Sequence, residues 1–200
     1  MNIFGEIAVT RKTGDEVFEI NGIALQYSLL NFWQWSSSDI VGNALRGLLA
    51  EYIVASAMNA NLGTRKEWEA FDVLSPEGLR IEVKSGAYIQ SWEQRDYSKI
   101  KFEIAPKKTL EAESNVYTSD KARNSDIYVF CVLANKDQET LNPLSLGQWD
   151  FYVLKTEILD HEIGEQKSIG LSSLLRLNPI KTCYTDLRRS TLHISGKGKQ

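Results

Sequence analysis

Seven consecutive residues, Ile127–Leu133 (Ile-Tyr-Val-Phe-Cys-Val-Leu), carry no charged side chain. Successive side chains of a strand point to opposite sides of a sheet, so a strand that is apolar at every position has to be covered on both faces. The run therefore predicts a central strand in a layered sheet with other elements packed above and below it. That favours an α/β architecture, with a central mixed β-sheet flanked by α-helices.

The rest of the chain supplies the layers. Ser36, Ser37, Ser38 and Asp39 offer capping side chains ahead of a segment rich in Ala, Leu and Ile that reaches about Met58 without a proline, which predicts a long helix. Residues 98–104 alternate apolar and polar, and Trp149–Lys155 reads as a later strand, with Thr156 placed to cap a short helix. Residues 172–177 and 185–193 read as two further helices, and the polar stretch 105–125 as a loop with some helix. Residues 2–30 read as short strands joined at Gly14 and Asn21-Gly22. The aromatic stretch Phe32-Trp33-Gln34-Trp35 is expected to pack into the core, with base stacking as the alternative.

Two hundred residues with 42% hydrophobic content suffice for one core, and no linker-like stretch divides them, so a single domain over 1–200 is expected. No apolar run is long enough to span a bilayer and the first residues lack signal-peptide character, so the expected location is the cytoplasm, with no membrane partner. Cys131 and Cys183 stand apart and are expected to be buried free thiols. Two histidines, His161 and His193, are too few for a zinc cluster or a histidine relay.

Chemistry concentrates in a hairpin pattern. Residues 69–74 and 79–84 both alternate with period two around the turn Ser75-Pro76-Glu77-Gly78. Placing Phe71 and Val73 on the same buried face as Leu79, Ile81 and Val83 sets Asp72, Glu82 and Lys84 together on the other face, with Asp72 opposite Glu82. On the long helix, Ala44, Gly47, Leu48, Glu51 and Ala55 fall on one stripe, so Glu51 either turns inward or sits at an edge where it reaches water.

Carboxylates are hard oxygen ligands of the kind Mg²⁺ takes. Asp72 and Glu82 on adjacent strands, with the intervening Val83 carbonyl, could hold the ion and leave room for water and phosphate. Lys84, two residues on, would orient a water or offset phosphate charge. Glu51 would complete a cluster that repels itself in the absence of a cation.

A helix bearing a glutamate, an aspartate in one strand, and Glu-x-Lys in the next, ten positions after the aspartate, resembles the PD-(D/E)XK nuclease superfamily. The resemblance runs over roughly residues 38–133. It implies a restriction-endonuclease-like core and a Mg²⁺-dependent endonuclease acting on DNA, with Mn²⁺ able to substitute. It also implies metal binding at Asp72, Glu82, Val83 and Glu51, catalysis at Lys84, Asp72, Glu82 and Glu51, and products with 5′-phosphate and 3′-hydroxyl ends. Phe71 stands where the motif's name has proline. Many members are dimers, so a homodimer is compatible with the sequence. Gln94 and Tyr97 do not match the Gln-x-x-x-Tyr spacing of the RecB-like subgroup.

The net charge of −3 runs against nucleic-acid binding, although local pairs such as Lys107/Lys108, Lys121/Arg123 and Arg188/Arg189 could still meet phosphate. Ser85 and Gln90 are secondary candidates for phosphate or water contact. The alternative reading is a catalytically inactive module of the same fold that binds nucleic acid or a protein partner. A different metal-dependent hydrolase, acting on RNA or a small phosphate ester, is a further rival.

Overall fold

The computed structural model describes residues 7–66, 69–108, 110–111, 116–117 and 120–198. Expectations for residues 2–6 and 112–115 lie outside these described residues. The chain begins with strands β1 (Val17–Ile20) and β2 (Ile23–Ser28), followed by α1 (Leu29–Ser36) and the long helix α2 (Asn43–Ala57). β3 (Val73–Leu74) and β4 (Arg80–Ala87) come next, then β5 (Lys101–Glu103) and the short pair β6 (Leu110–Glu111) and β7 (Val116–Tyr117). The remaining elements are β8 (Ile127–Leu133), β9 (Trp149–Lys155), α3 (Thr156–Ile163), β10 (Ser168–Gly170), α4 (Leu171–Arg176), β11 (Ile180–Thr182) and α5 (Tyr184–Ser195).

The central sheet has five strands in the order β11-β9-β8-β4-β3. It is mixed: β4 and β8 run parallel, and the other neighbours are antiparallel. β8 lies at its centre with every residue buried, as its unbroken apolar run requires. Odd-numbered residues of β8 (Ile127, Val129, Cys131, Leu133) join Ala50, Ile53 and Val54 of α2 and Leu187 of α5 in one core. Tyr128, Phe130 and Val132 join Phe102 of β5, Ile169 of β10, Leu159 of α3 and Leu174 of α4 in the other. The two-layer cover is thus the period-two alternation of one strand read out on both faces.

Several local expectations are corrected. The strand expected over residues 98–104 is shortened to β5, Lys101–Glu103, which pairs with β10 in a separate two-stranded sheet. Thr156 does not cap α3: Lys155 holds the N-cap position, and Thr156 is buried with its hydroxyl 3.3 Å from Ser125 Oγ. Cys131 is buried and free, but Cys183 is exposed. Helix α2 starts at Asn43, four residues later than the capping serines suggest. Asp39 Oδ1 accepts the Gly42 amide at 2.9 Å and shapes the turn before it. The aromatic stretch does not enter either core: no residue of α1 is buried and Trp35 is 83% exposed. Among the described residues, no helix is long and apolar enough to cross a membrane.

Candidate active site

The site forms where β3 runs out along the edge of β4. Val73 pairs with Ile81 and Leu74 with Arg80, and Ser75, Glu77 and Gly78 close the turn through the Ser75 backbone and hydroxyl. Gly78 has φ +74°, a backbone region that glycine enters without strain. Asp72 lies just before β3, and its amide donates at 3.0 Å to the carbonyl of Ile81, the residue that already pairs with Val73, so the ladder is irregular at Asp72. Val73 and Ile81 bury their side chains in the α2-side core, Glu82 lies on the side of Tyr128, and Asp72 borders the cleft that Glu51 and Tyr52 of α2 also line, close enough to Glu82 for the two charges to interact.

Asp72 Oδ2 accepts the Val83 amide at 2.7 Å. In an extended strand the N–H and C=O of one residue point to the same edge, so the Val83 carbonyl also faces the Asp72 side. Glu82 is buried, and its Oε1 accepts a hydrogen bond from Lys84 Nζ at 2.6 Å, with Lys107 Nζ at 3.7 Å on the same oxygen. Two residues along a strand share a face, which is why Lys84 and Glu82 meet. Lys107 comes from the polar stretch expected to be a loop with some helix, whose described residues carry the short strands β6 and β7 instead. Its antiparallel bridge to Ala122 fixes that segment beside the sheet.

Glu51 stands on the flank of α2. The inward face of that helix is Arg46, Ala50, Ile53 and Val54, whereas Ala44 and Leu48 of the predicted stripe are exposed. The Glu51 side chain is 18% exposed and accepts from Arg65 Nε at 2.5 Å. It occupies the edge position, near enough to Asp72 for its charge to be felt there.

Electrostatics mark the cluster. Burial, then the negative charges of Glu82 and Glu51, push the Asp72 carboxyl up to about 6 from its ordinary 3.8, against the opposing pull of the Val83 amide and Lys84. A carboxylate crowded in this way is short of positive charge, which is the condition a divalent cation relieves. Among the described residues, no three His, Cys, Asp or Glu side chains stand close enough together to hold a metal ion. The oxygen donors that share the β4 edge are Asp72, Glu82 and the Val83 carbonyl, with Glu51 drawn aside by Arg65. Their hard-oxygen chemistry fits Mg²⁺.

A cleft of about 630 Å³ opens beside Glu51 and Asp72, lined among others by Leu48, Tyr52, Phe71, Arg65 and Lys66. It gives a polymer room to approach the carboxylates. Arg65 and Lys66 place positive charge on its rim.

The secondary candidates take structural parts. Ser85 Oγ and Gln90 Oε1 accept from Arg46 at 3.2 and 2.9 Å, and Gln90 Nε2 donates to the Ala87 carbonyl. Arg46, buried in α2, also donates to the Val41 carbonyl at 2.7 Å and to Asn43 Oδ1 at 2.5 Å. It ties the start of α2 to the end of β4, and so fixes the helix that carries Glu51 relative to the strand that carries Glu82. Sequence reasoning missed it; the signal was a lone arginine on the apolar part of a helix. Arg123, paired in sequence with Lys121 as a phosphate candidate, is instead buried, bonded to the Ile104 and Gly164 carbonyls and to Asp160. Arg188 is ion-paired with Glu77 rather than displayed for phosphate.

With the carboxylates and Lys84 gathered at one strand edge, comparison with known families becomes informative. The family model described as bacteriophage T4 endonuclease IV matches residues 22–173, about three quarters of the chain. The chain belongs to the bacteriophage T4 endonuclease IV family. No curated protein matches the sequence. The endonuclease IV match runs from β2 to α4 and includes Glu51, Asp72, Glu82, Val83 and Lys84. Membership supports a DNA endonuclease, a hydrolase of the nuclease class.

Proposed function

We propose that this endonuclease IV family member has a restriction-endonuclease-like core of the PD-(D/E)XK type and hydrolyses DNA phosphodiester bonds with Mg²⁺ held by Asp72, Glu82 and the Val83 carbonyl. Glu51 is the accessory ligand, recruited from Arg65. The observation that carries the reading is the Asp72 carboxyl, buried against Glu82 and Glu51 and raised to about 6, with Lys84 on the neighbouring carboxylate. Such crowding costs stability and is retained where a cation is to be bound.

When bound, the divalent ion supplies charge neutralisation at the scissile phosphate and lowers the cost of deprotonating the attacking water. Asp72 and Glu82, both anionic, would act on the phosphate only through the ion that they would hold beside β4. Lys84 donates a hydrogen bond to Glu82 in the resting site; turned toward the phosphate, its ammonium steadies negative charge on the non-bridging oxygens and orients the attacking water. Arg65 and Lys66 at the cleft rim attract the DNA backbone despite the net charge of −3. Hydrolysis breaks the bond to the 3′-oxygen, leaving 5′-phosphate and 3′-hydroxyl ends, and Mn²⁺ substitutes for Mg²⁺.

The test is cleavage of plasmid and short linear DNA in Mg²⁺, Mn²⁺ and excess chelator, with end-labelling of the products. Cutting that stops in chelator and yields 5′-phosphate ends is the expected result. Cutting that persists in chelator overturns the metal reading. DNA binding without cutting in any metal turns the reading to an inactive nuclease-fold module.

A further inference from the structure

The carboxylates of the site are held unequally. Asp72 Oδ2 accepts from the Val83 backbone amide at 2.7 Å, and Glu82 Oε1 accepts at 2.6 Å from Lys84, two residues along its own strand. Glu51 is held from a separate segment 14 positions away. Arg65 Nε stands 2.5 Å from Glu51 Oε2 and Arg65 Nη2 3.4 Å from Glu51 Oε1, so the guanidinium grips both oxygens. Arg65 and Glu51 both line the cleft of about 630 Å³, and the Arg65 side chain is 43% exposed. This is the grip that a ligand entering the cleft meets.

The resting arrangement is one donor short. Among the described residues, no three His, Cys, Asp or Glu side chains stand close enough together to hold a metal ion. Yet Glu51 lies near enough for its charge to act on Asp72. A swing of the Glu51 side chain off Arg65 supplies the third carboxylate.

Chemistry sets what can take Arg65 away. A guanidinium pairs with phosphate in the same two-pronged way as with a carboxylate. Two more cations line the cleft, but neither holds a carboxylate that acts on Asp72. Arg11 donates to the Asn61 and Leu62 carbonyls, and Lys66 pairs with Glu69 at 3.4 Å. When Arg65 passes from Glu51 to a phosphate, Glu51 is freed for the ion, and both charges stay paired.

Resting on the metal reading above, we propose that Arg65 is a positioning residue that withholds Glu51 from the metal until a phosphate of the DNA backbone takes the guanidinium. DNA and Mg²⁺ then strengthen each other's binding, and the coupling is reciprocal.

Isothermal calorimetry of Mg²⁺ binding without DNA compares the parent, Arg65→Ala, Glu51→Gln and the double variant. Arg65→Ala is expected to tighten Mg²⁺ binding about tenfold, and the same change beside Glu51→Gln to alter it by less than about twofold. Damage to the fold does not tighten binding, so the gain reports the release of Glu51. The mirror measurement is fluorescence anisotropy of a labelled short oligonucleotide, single-stranded and duplex, in excess chelator. There Glu51→Gln frees Arg65 for phosphate and is expected to tighten DNA binding about fivefold, and by less than about twofold beside Arg65→Ala. Mg²⁺ affinity that is unchanged or weaker in Arg65→Ala overturns the proposal and leaves the metal reading standing. A gain of equal size in both backgrounds, in either measurement, does the same, because it reports only the loss of a repelling charge. Absence of Mg²⁺ binding in the parent and in Arg65→Ala overturns the metal reading, and the proposal with it.

Discussion

Replacing Asp72 with Asn should stabilise the metal-free protein while removing its activity. An acid moved from 3.8 to about 6 by burial and by its neighbours penalises the folded, ionised form by about 3 kcal/mol. The sign follows from proton counts. Between about pH 4 and pH 6 the folded state holds a proton that the unfolded chain releases, so stability falls as pH rises through that window and stays lower above it. Asn cannot ionise, and its Oδ1 can keep the Val83 amide bond that Asp72 makes. Part of the gain is lost in accommodating the new amide hydrogens, which leaves about 1–3 kcal/mol in favour of Asp72→Asn near pH 8 and about zero near pH 4. Urea denaturation in excess chelator at both pH values measures the difference directly. With Mg²⁺ at about ten times its dissociation constant, the parent recovers about 1.4 kcal/mol and the variant nothing. A variant less stable than the parent near pH 8, or one whose advantage is the same at both pH values, would refute the electrostatic account of the cluster.

Four further outcomes follow from the same geometry. Glu51→Gln should raise the Mg²⁺ concentration giving half-maximal cleavage by about tenfold and spare the maximal rate, since Glu51 enters from the flank of α2; a kinetic metal titration checks it. Arg46→Met should cost about 3 kcal/mol in urea unfolding, because Gln90 and Ser85 lose a buried donor along with the Val41 carbonyl. Gly86→Ala places a Cβ 2.8 Å from Ile100 Cγ2 and 3.2 Å from Phe102, so about 1–3 kcal/mol should be lost, read as a lower thermal midpoint. Cys183, exposed, should react with a thiol reagent in the native state, whereas Cys131, buried and raised in pKa, should react only on unfolding.

The strands that cross the sheet were legible because their side-chain periods are unambiguous. β8 and β9 fall where the sequence places them, and the pairing of Val73 with Ile81 follows from matching two apolar faces. Helix α2 was legible in existence but not in rotation. Its small residues Ala44 and Gly47 suit an inward face as well as an outward one, and the buried Arg46 sits where polarity argued for solvent. Short strands such as β10 and β11, three residues each, carry too little pattern to be seen, and they form because longer neighbours offer them an edge. Lys107 reaches Glu82 across 25 positions, and Arg65 reaches Glu51 across 14, contacts that no local spacing encodes. The aromatic stretch of α1 misled in the opposite way: Phe32, Trp33 and Trp35 have the composition of a core, and the chain leaves them on its surface.

The most direct test of the central claim is isothermal calorimetry of Mg²⁺ binding on the parent, Asp72→Ala and Lys84→Ala, each paired with a DNA cleavage rate and a check of fold. Asp72→Ala should lose both metal binding and cleavage. Lys84→Ala should keep the metal, because lysine repels it rather than ligates it, and still lose cleavage by about two to four orders of magnitude. Full metal binding in Asp72→Ala, or unchanged cleavage in Lys84→Ala, would contradict the assignment of ligand and catalytic group to the edge of β4.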